Sequence, residues 1–237
     1  MRILIVSDIH ENKDYLQGAL VRSQDADHVV CHGDYWDAWV WRPEDFCAVT
    51  SFVLKHLTEK NWTLLVGNHD LQYLWPLRNV VCSGYEKRRD VIISQLFTDK
   101  LKDSFKFLWH HGKYLVSHAG IVKDLYKCPR NVDDLSYVES MDETLRQAVK
   151  TGAGHPWLNA GFSRGGSQTH GGILWADWSE LQEPLAPWTQ IVGHTHHKTN
   201  VRQSLFGSNS TQNICLDTEK HYCWIEENGE LIFEELK

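Results

Sequence analysis

Five short motifs constrain this chain more than anything else in it: Asp8-Ile9-His10, Gly33-Asp34-Tyr35-Trp36-Asp37, Gly67-Asn68-His69-Asp70, Ser117-His118-Ala119-Gly120 and Gly193-His194-Thr195-His196. Each carries groups that can ligate a hard or borderline metal ion, and most directly follow a short apolar run. Ile3-Leu4-Ile5-Val6, His28-Val29-Val30-Cys31 and Thr63-Leu64-Leu65-Val66 read as strands buried on both faces. Between the first two, residues 13–23 place Tyr15, Leu16, Ala19 and Leu20 at helical spacing. Before the third, Pro43 opens a helix where a missing N–H costs nothing, and Phe46, Val49, Val53 and Leu57 give that helix its apolar face. Strand, loop and helix in alternation predict an α/β protein with parallel strands. Right-handed crossovers then align the strand C-terminal ends along one edge, the edge where ligands bind in open α/β sheets. Asp8, Asp34 and Asn68 are therefore expected to converge.

The rest of the chain is punctuated less clearly. Residues 86–104 read as helical, 113–117 as a strand, and 133–151 as a helix ended by Gly152. Residues 152–172 hold seven glycines and read as a long loop, and a loop of that length in a compact domain is usually functional. Residues 190–192, 213–217 and 222–226 read as strands, and Asn228-Gly229 turns the chain into a last strand at Leu231-Ile232-Phe233. With no repeats and no interdomain linker, the expectation is a single domain over 1–237 with a helical, glycine-rich insertion around 121–190.

Net charge of -7 argues against a duplex nucleic-acid partner. The first strand begins at Arg2, so no signal peptide is expected, and no apolar run approaches the roughly 20 residues needed to cross a bilayer; membrane partners are not expected. The six cysteines form no Cys-x-x-Cys pair, and Cys31, Cys215 and Cys223 sit inside strand-like runs. They read as reduced core thiols of a cytoplasmic protein.

Two cations a few ångströms apart can clamp a phosphoryl group and activate the attacking water. Holding two like charges together requires a bridging anion, and Asp34 is the carboxylate placed to serve. Asp8, His10 and His196 would complete one site; Asn68, His118 and His194 would complete the other. Mixed Asp, Asn and His ligands suit Mn²⁺, Fe or Zn²⁺ better than Ca²⁺, and the lack of cysteine ligands argues against a structural zinc. Gly33, Gly67 and Gly193 each precede a ligand at a strand end, where a residue without Cβ permits a sharp turn and close backbone approach.

These five blocks, in this order from Asp8 to His196, resemble the calcineurin-like metallophosphoesterase superfamily. Gly33-Asp34-Tyr35-Trp36-Asp37, Ser117-His118-Ala119-Gly120-Ile121, Leu174-Trp175-Ala176-Asp177 and Asn213-Ile214-Cys215-Leu216-Asp217-Thr218 resemble its phosphoprotein-phosphatase branch, including bacterial and phage members. The resemblance implies a four-layer α/β/β/α sandwich. It also implies that His69 protonates the leaving oxygen and that Asp37 hydrogen-bonds His69 and favours its charged form; Asp70 reads as a cap on the following helix.

The sequence departs from that branch after Asp37. There the branch carries an arginine that binds phosphate, and this chain has Asp37-Ala38-Trp39. Arg42 or Arg164 are the candidate replacements. Trp36, Trp39 and Trp41 either line the mouth of the site, where a flat group could stack, or pack beneath the adjacent helix.

The resemblance implies a hydrolase using two divalent metal ions, Mn²⁺ first with Fe or Zn²⁺ as alternatives. The expected activity is phosphomonoesterase, like a serine/threonine phosphatase, by attack of metal-bound hydroxide on phosphorus. Its substrate would be a phosphoprotein or a nucleotide. The alternative enzyme cleaves a nucleotide phosphodiester or a dinucleoside polyphosphate, the choice depending on loops 78–90 and 152–172; a metal-binding scaffold without catalysis is the non-enzyme alternative.

Overall fold

The structure is a computed structural model that describes residues 1–75, 82–204 and 211–236. Residues 78–81 of the first substrate-determining loop thus lie outside the described residues.

The N-terminal half alternates as its apolar runs predict. Strand β1 (Ile3–Val6) leads to helix α1 (Lys13–Arg22), β2 (His28–Cys31) to α2 (Pro43–His56), and β3 (Trp62–Leu64) to the short α3 (Asn68–Leu74). Pro43 occupies the first turn of α2 as expected. The helical reading of 86–104 resolves into two pieces, α4 (Lys87–Leu96) and α5 (Asp99–Lys102). They break where the Thr98 hydroxyl accepts from Leu101 N at 3.4 Å and starts a new helix.

Then come β4 (Leu108–His111), β5 (Tyr114–Ser117), α6 (Asp134–Thr151), β6 (Thr189–Val192), β7 (Arg202–Gln203), β8 (Asn213–Cys215), β9 (His221–Ile225) and β10 (Leu231–Glu235). Helix α6 starts where Asp133 accepts from Ser136 N and stops at Gly152, whose φ of 69° is left-handed. The glycine-rich stretch contains two single-turn 3-10 segments, Pro156–Leu158 and Phe162–Arg164. Strands β4 and β7 escaped the sequence reading: the first mixes His110 and His111 into its face, and the second is two residues long.

The strands form two five-stranded sheets, ordered β10-β9-β1-β2-β3 and β4-β5-β6-β8-β7. In each, three strands run parallel (β1, β2, β3 and β5, β6, β8); antiparallel pairs add β9 and β10 on one side of the first sheet, whose other edge is β3, and fill both edges of the second. Strand periodicity dictates how the sheets stack. Ile3, Ile5 and Val30 turn one way and share a buried cluster with Val116, Ile191 and Ile214 of the second sheet. Leu4 and Val6 turn the other way, into a cluster with Leu16 and Ala19 of α1 and Phe46, Val49 and Val53 of α2. Asp142 of α6 accepts from the backbone N–H groups of Phe107 and Leu108 at 2.7 and 3.1 Å, fastening that helix to the start of β4. The layers run helix, sheet, sheet, helix, as the resemblance implied. All six parallel strands end on one side of this sandwich, and the polar motifs begin there.

Candidate active site

The loops after β1 and β2 are tied backbone to backbone. Ile9 N and His10 N both donate to the Asp34 carbonyl, at 3.1 and 2.7 Å. Asp70 has a wider role than capping α3: its carboxylate accepts from Gly67 N (2.8 Å), Asp34 N (2.7 Å) and Tyr35 N (2.8 Å), clamping the β2 and β3 loops together. Burial and the neighbouring Asp34 push the Asp70 carboxyl upward, and the three N–H donors oppose that shift.

The expected close approach at the glycines is visible. A Cβ on Gly67 would stand 2.1 Å from Asp34 Oδ1, and one on Gly193 would stand 2.0 Å from Asp8 Oδ2. Larger residues at 67 and 193 would displace the carboxylates that the motifs deliver.

Around Asp34 the donor and acceptor roles can be assigned one by one. His118 Nδ1 is 3.1 Å from the His32 carbonyl, which places the proton on Nδ1 and leaves a lone pair on Nε2. Nε2 faces Asn68 Oδ1 at 2.9 Å, His194 Nδ1 at 3.2 Å and Asp34 Oδ2 at 3.5 Å. The Asn68 amide is oriented by Cys82, whose sulfur lies 3.3 Å from Nδ2, so Oδ1 points inward. His10 repeats the pattern on the other side: Nδ1 donates to the Trp36 carbonyl at 3.1 Å, and Nε2 faces Asp34 Oδ2 at 3.5 Å.

Acceptors therefore converge on acceptors with too few protons between them, an arrangement that a cation satisfies. The 2.9–3.5 Å separations also match the edges of a metal coordination shell. Octahedral ligands at about 2.1 Å from an ion lie roughly 3.0 Å apart. Two sets of side chains can each place ligand atoms within 4.8 Å of one another: Asp8, His10 and Asp34, and Asp34, His118 and His194. Asp34 belongs to both. Burial penalises its charge, but His118, His69, His10 and His194 outweigh burial and hold the carboxyl well below the usual range.

His196 was expected beside Asp8 and His10, and the structure does not gather it into that tight set. It lines the same cavity, about two-fifths exposed, with Nδ1 3.3 Å from Asp217 Oδ1. Asp217 was missed as a site residue. It is buried, lines the cavity, and is pushed upward by burial and by Asp8. It follows β8 as Asp34 follows β2, so the strand-end rule would have found it.

The His69–Asp37 pair is present. His69 Nδ1 donates to Asp37 Oδ2 at 2.9 Å, and His69 lines the cavity. Burial lowers the His69 value, but Asp34 and Asp37 more than offset it, and the net shift is upward. Asp37 is buried and also accepts from Gln72 Nε2 at 2.5 Å and from the Tyr73 hydroxyl. Neither partner stood out in the sequence, because both read as ordinary helix residues.

The cavity has a volume of about 890 Å³ and is also lined by Arg164, Trp175 and Lys198. Arg164 Nη2 is 2.9 Å from both Thr195 Oγ1 and Asp177 Oδ2. Arg42 is not brought to the cavity: it sits at the start of α2, 3.8 Å from Asp45 and largely exposed. The tryptophans divide. Trp36 is fully buried and donates to Thr50 Oγ1 at 3.1 Å, Trp41 packs on Phe46 under Arg88, and Trp39 lies at the cavity lip, 92% exposed.

No curated protein matches this sequence. Solved structures share its fold at low identity. A cold-active protein-tyrosine phosphatase of a psychrophilic Shewanella species superposes with a TM-score of 0.60 at 18% identity, covering 100% of this chain and 80% of that one. A Saccharomyces cerevisiae protein serine/threonine phosphatase superposes with a TM-score of 0.52 at 13% identity, with the same coverage. The calcineurin-like phosphoesterase family profile matches residues 1–223. With that match over the strand ends that carry the converging Asp and His side chains, the chain belongs to the calcineurin-like phosphoesterases and is a metal-dependent phosphoester hydrolase.

Proposed function

We propose that this enzyme is a phosphomonoesterase that uses two divalent cations. The observation that carries the reading is Asp34, common to both sets of potential ligands, with the His69–Asp37 pair 2.9 Å apart on the adjoining wall. Asp8, His10 and Asp34 would hold one ion, with His196 completing it from the Asp217 side. Asp34, Asn68, His118 and His194 would hold the other. Bound there, the ions supply Lewis acidity toward the phosphoryl oxygens and make a water acidic enough to attack at neutral pH. Mn²⁺ suits this Asp, Asn and His set, with Fe or Zn²⁺ as alternatives.

The protein's own groups do the rest. Asp37 accepts the hydrogen bond from His69 Nδ1–H and thereby directs Nε2–H toward the leaving oxygen, which that imidazolium protonates as the P–O bond breaks. Such acid catalysis is worth ~10²–10⁴-fold. Arg164, which also lines the cavity, would orient phosphoryl oxygens as its contact with Asp177 exchanges for the anion. Phosphorylated side chains of proteins are the proposed substrate class, the activity that the two structural neighbours carry in their names. The exposed Trp39 at the lip favours a second reading, a nucleotide whose base stacks on the indole. No helix among the described residues is long and apolar enough to cross a membrane. All six cysteines are free, which supports the proposed cytoplasmic, reducing location.

Mn²⁺-supported turnover of p-nitrophenyl phosphate and bis-p-nitrophenyl phosphate, measured in parallel with Asp34→Asn as the blank, tests the proposal. Preference for the monoester is expected. Preference for the diester would replace it with the nucleotide phosphodiesterase reading.

A further inference from the structure

Arg89, in α4, is a buried cation that the chemistry above does not use. Its side chain is 1% exposed, and it is not among the described residues that line the cavity. Its Nε and Nη2 donate to Glu11 Oε1 and Oε2 at 2.7 and 3.1 Å, a planar two-pronged contact. The remaining N–H groups reach the Gly84 carbonyl at 3.3 Å and the Ala38 carbonyl at 3.5 Å, and Nη1 lies 3.7 Å from Asp37 Oδ1. Glu11 in turn accepts the backbone N–H of Asp37 at 3.2 Å. One guanidinium thus joins the loop after β1, the loop after β2 and the segment entering α4.

A fully buried ion pair is a poor source of net stability, because desolvating both charges offsets most of their attraction. What it supplies is direction. The guanidinium is a rigid fork, and it holds a carboxylate in one plane. That matters at Asp37, whose φ of 72° is left-handed in a residue with a Cβ. Such a conformation persists only where the surroundings over-determine it. The Asp37 backbone sets where its carboxylate lies, and that carboxylate sets the tautomer and aim of His69.

We infer that Arg89 is a positioning residue for the catalytic acid: through Glu11 and Asp37 it holds His69 with Nδ1 protonated and Nε2 aimed at the leaving oxygen. The inference rests on the reading of His69 as that acid. Removing Arg89 alone would strand the Glu11 charge, so the two are replaced together as Glu11→Gln with Arg89→Met. Arg89→Lys, which keeps the charge and loses the fork, is the companion variant.

Two readouts are needed. The first is ¹H–¹⁵N NMR of the His69 ring in the Zn²⁺-loaded protein. With the ring neutral, at a pH above its titration, the wild type is expected to show the Nδ1–H tautomer alone, and both variants a mixture. The second compares an alkyl phosphate, whose leaving group needs the acid, with p-nitrophenyl phosphate, whose leaving group does not. The double variant is expected to lose ~10- to 100-fold in kcat on the alkyl ester with KM little changed, and under about threefold on the aryl ester. Adding His69→Ala should bring the total loss to that of His69→Ala alone and no further.

A folded double variant that keeps the wild-type tautomer overturns the inference, as does an equal loss on both esters. If the double variant does not fold, Arg89→Lys decides by the same two readouts. If His69→Ala alone cleaves the alkyl ester at the wild-type rate, the acid assignment itself fails and the inference goes with it. The NMR result distinguishes that failure, because the tautomer would still respond to Arg89.

Discussion

Gly193→Ala separates the geometry of the site from the stability of the fold. The added Cβ would lie 2.0 Å from Asp8 Oδ2, where real contacts do not fall below 3.0 Å, so the carboxylate must retreat by at least 1.0 Å. The backbone cannot retreat instead, because Gly193 N donates to the His118 carbonyl at 2.7 Å. Moving Asp8 disturbs two hydrogen bonds, from Ser7 Oγ at 2.6 Å and from His194 N at 3.0 Å. Each is worth about 1 kcal/mol. Gly193 is not among the residues with left-handed φ, so alanine fits its backbone and returns ~0.4–1 kcal/mol through the unfolded chain. The net loss is about 1 kcal/mol, or roughly 2–4 °C in Tm for a chain of this length. A misplacement of this size at a reacting centre costs on the order of 10²-fold in rate. The expectation is therefore a nearly normal melt, weakened binding at one of two Mn²⁺ sites by isothermal titration calorimetry, and kcat/KM reduced about a hundredfold. Wild-type turnover with two undisturbed binding events would refute the placement of Asp8 at the centre of the chemistry.

Three further outcomes follow from the same coordinates. Trp36→Ala, which empties a fully buried site, should cost about 3–5 kcal/mol in urea unfolding, whereas Trp39→Ala, at a 92% exposed site, should stay within about 0.5 kcal/mol; similar costs for both would mean that the lip is packed. Burial raises the Asp177 carboxyl, but hydrogen bonds from Ser179 and the charges of Arg164 and Arg202 win and hold it below its ordinary value. Its stabilisation is thus present above about pH 4 and lost as pH falls through the folded value. Asp177→Ala should accordingly remove roughly 1 kcal/mol of capping energy at pH 7 and much less at pH 3, and equal losses at both would rule this out. Chelation should abolish turnover, and Mn²⁺ at a hundred times its Kd should restore it and add about 2.7 kcal/mol of stability per filled site in a thermal melt; full activity after exhaustive chelation would contradict the acceptor-rich centre.

The sequence made the site legible because its candidate ligands sit at strand ends, where a short apolar run gives way to polar residues, often with a glycine. Asp8, Asp34, Asn68, His118 and His194 each follow a parallel strand within a few residues and gather around Asp34. What stayed illegible lacks a local mark. Arg89 reads as one more charge in Lys87-Arg88-Arg89-Asp90, and only the packing of α4 against α3 shows that it is buried while Arg88 is exposed. Gln72 and Tyr73 converge on Asp37 from a helix whose other face is core. Arg42 lies away from the cavity for a related reason: closeness to Asp37 in sequence says nothing about direction once Trp39 and Val40 carry the chain outward to the surface.

Backbone strain gives an independent outline of the same region. Among the described residues, six non-glycine positions have left-handed φ: His10 (44°), Glu11 (57°), Asp34 (49°), Asp37 (72°), His194 (65°) and Glu219 (55°). Five of them line the cavity, and the sixth, Glu11, adjoins His10 and holds Asp37. Each such residue costs roughly 1–3 kcal/mol, so together they rival the whole stability of a typical domain. They persist because rigid partners hold them: Asp70 on the Asp34 backbone, the Asp34 carbonyl on His10 N, and Arg89 through Glu11 on Asp37. A scaffold relieved of catalysis would be expected to relax these positions by substitution to glycine or asparagine. That this strain gathers around the cavity supports the reading of the site as one built to act on a substrate.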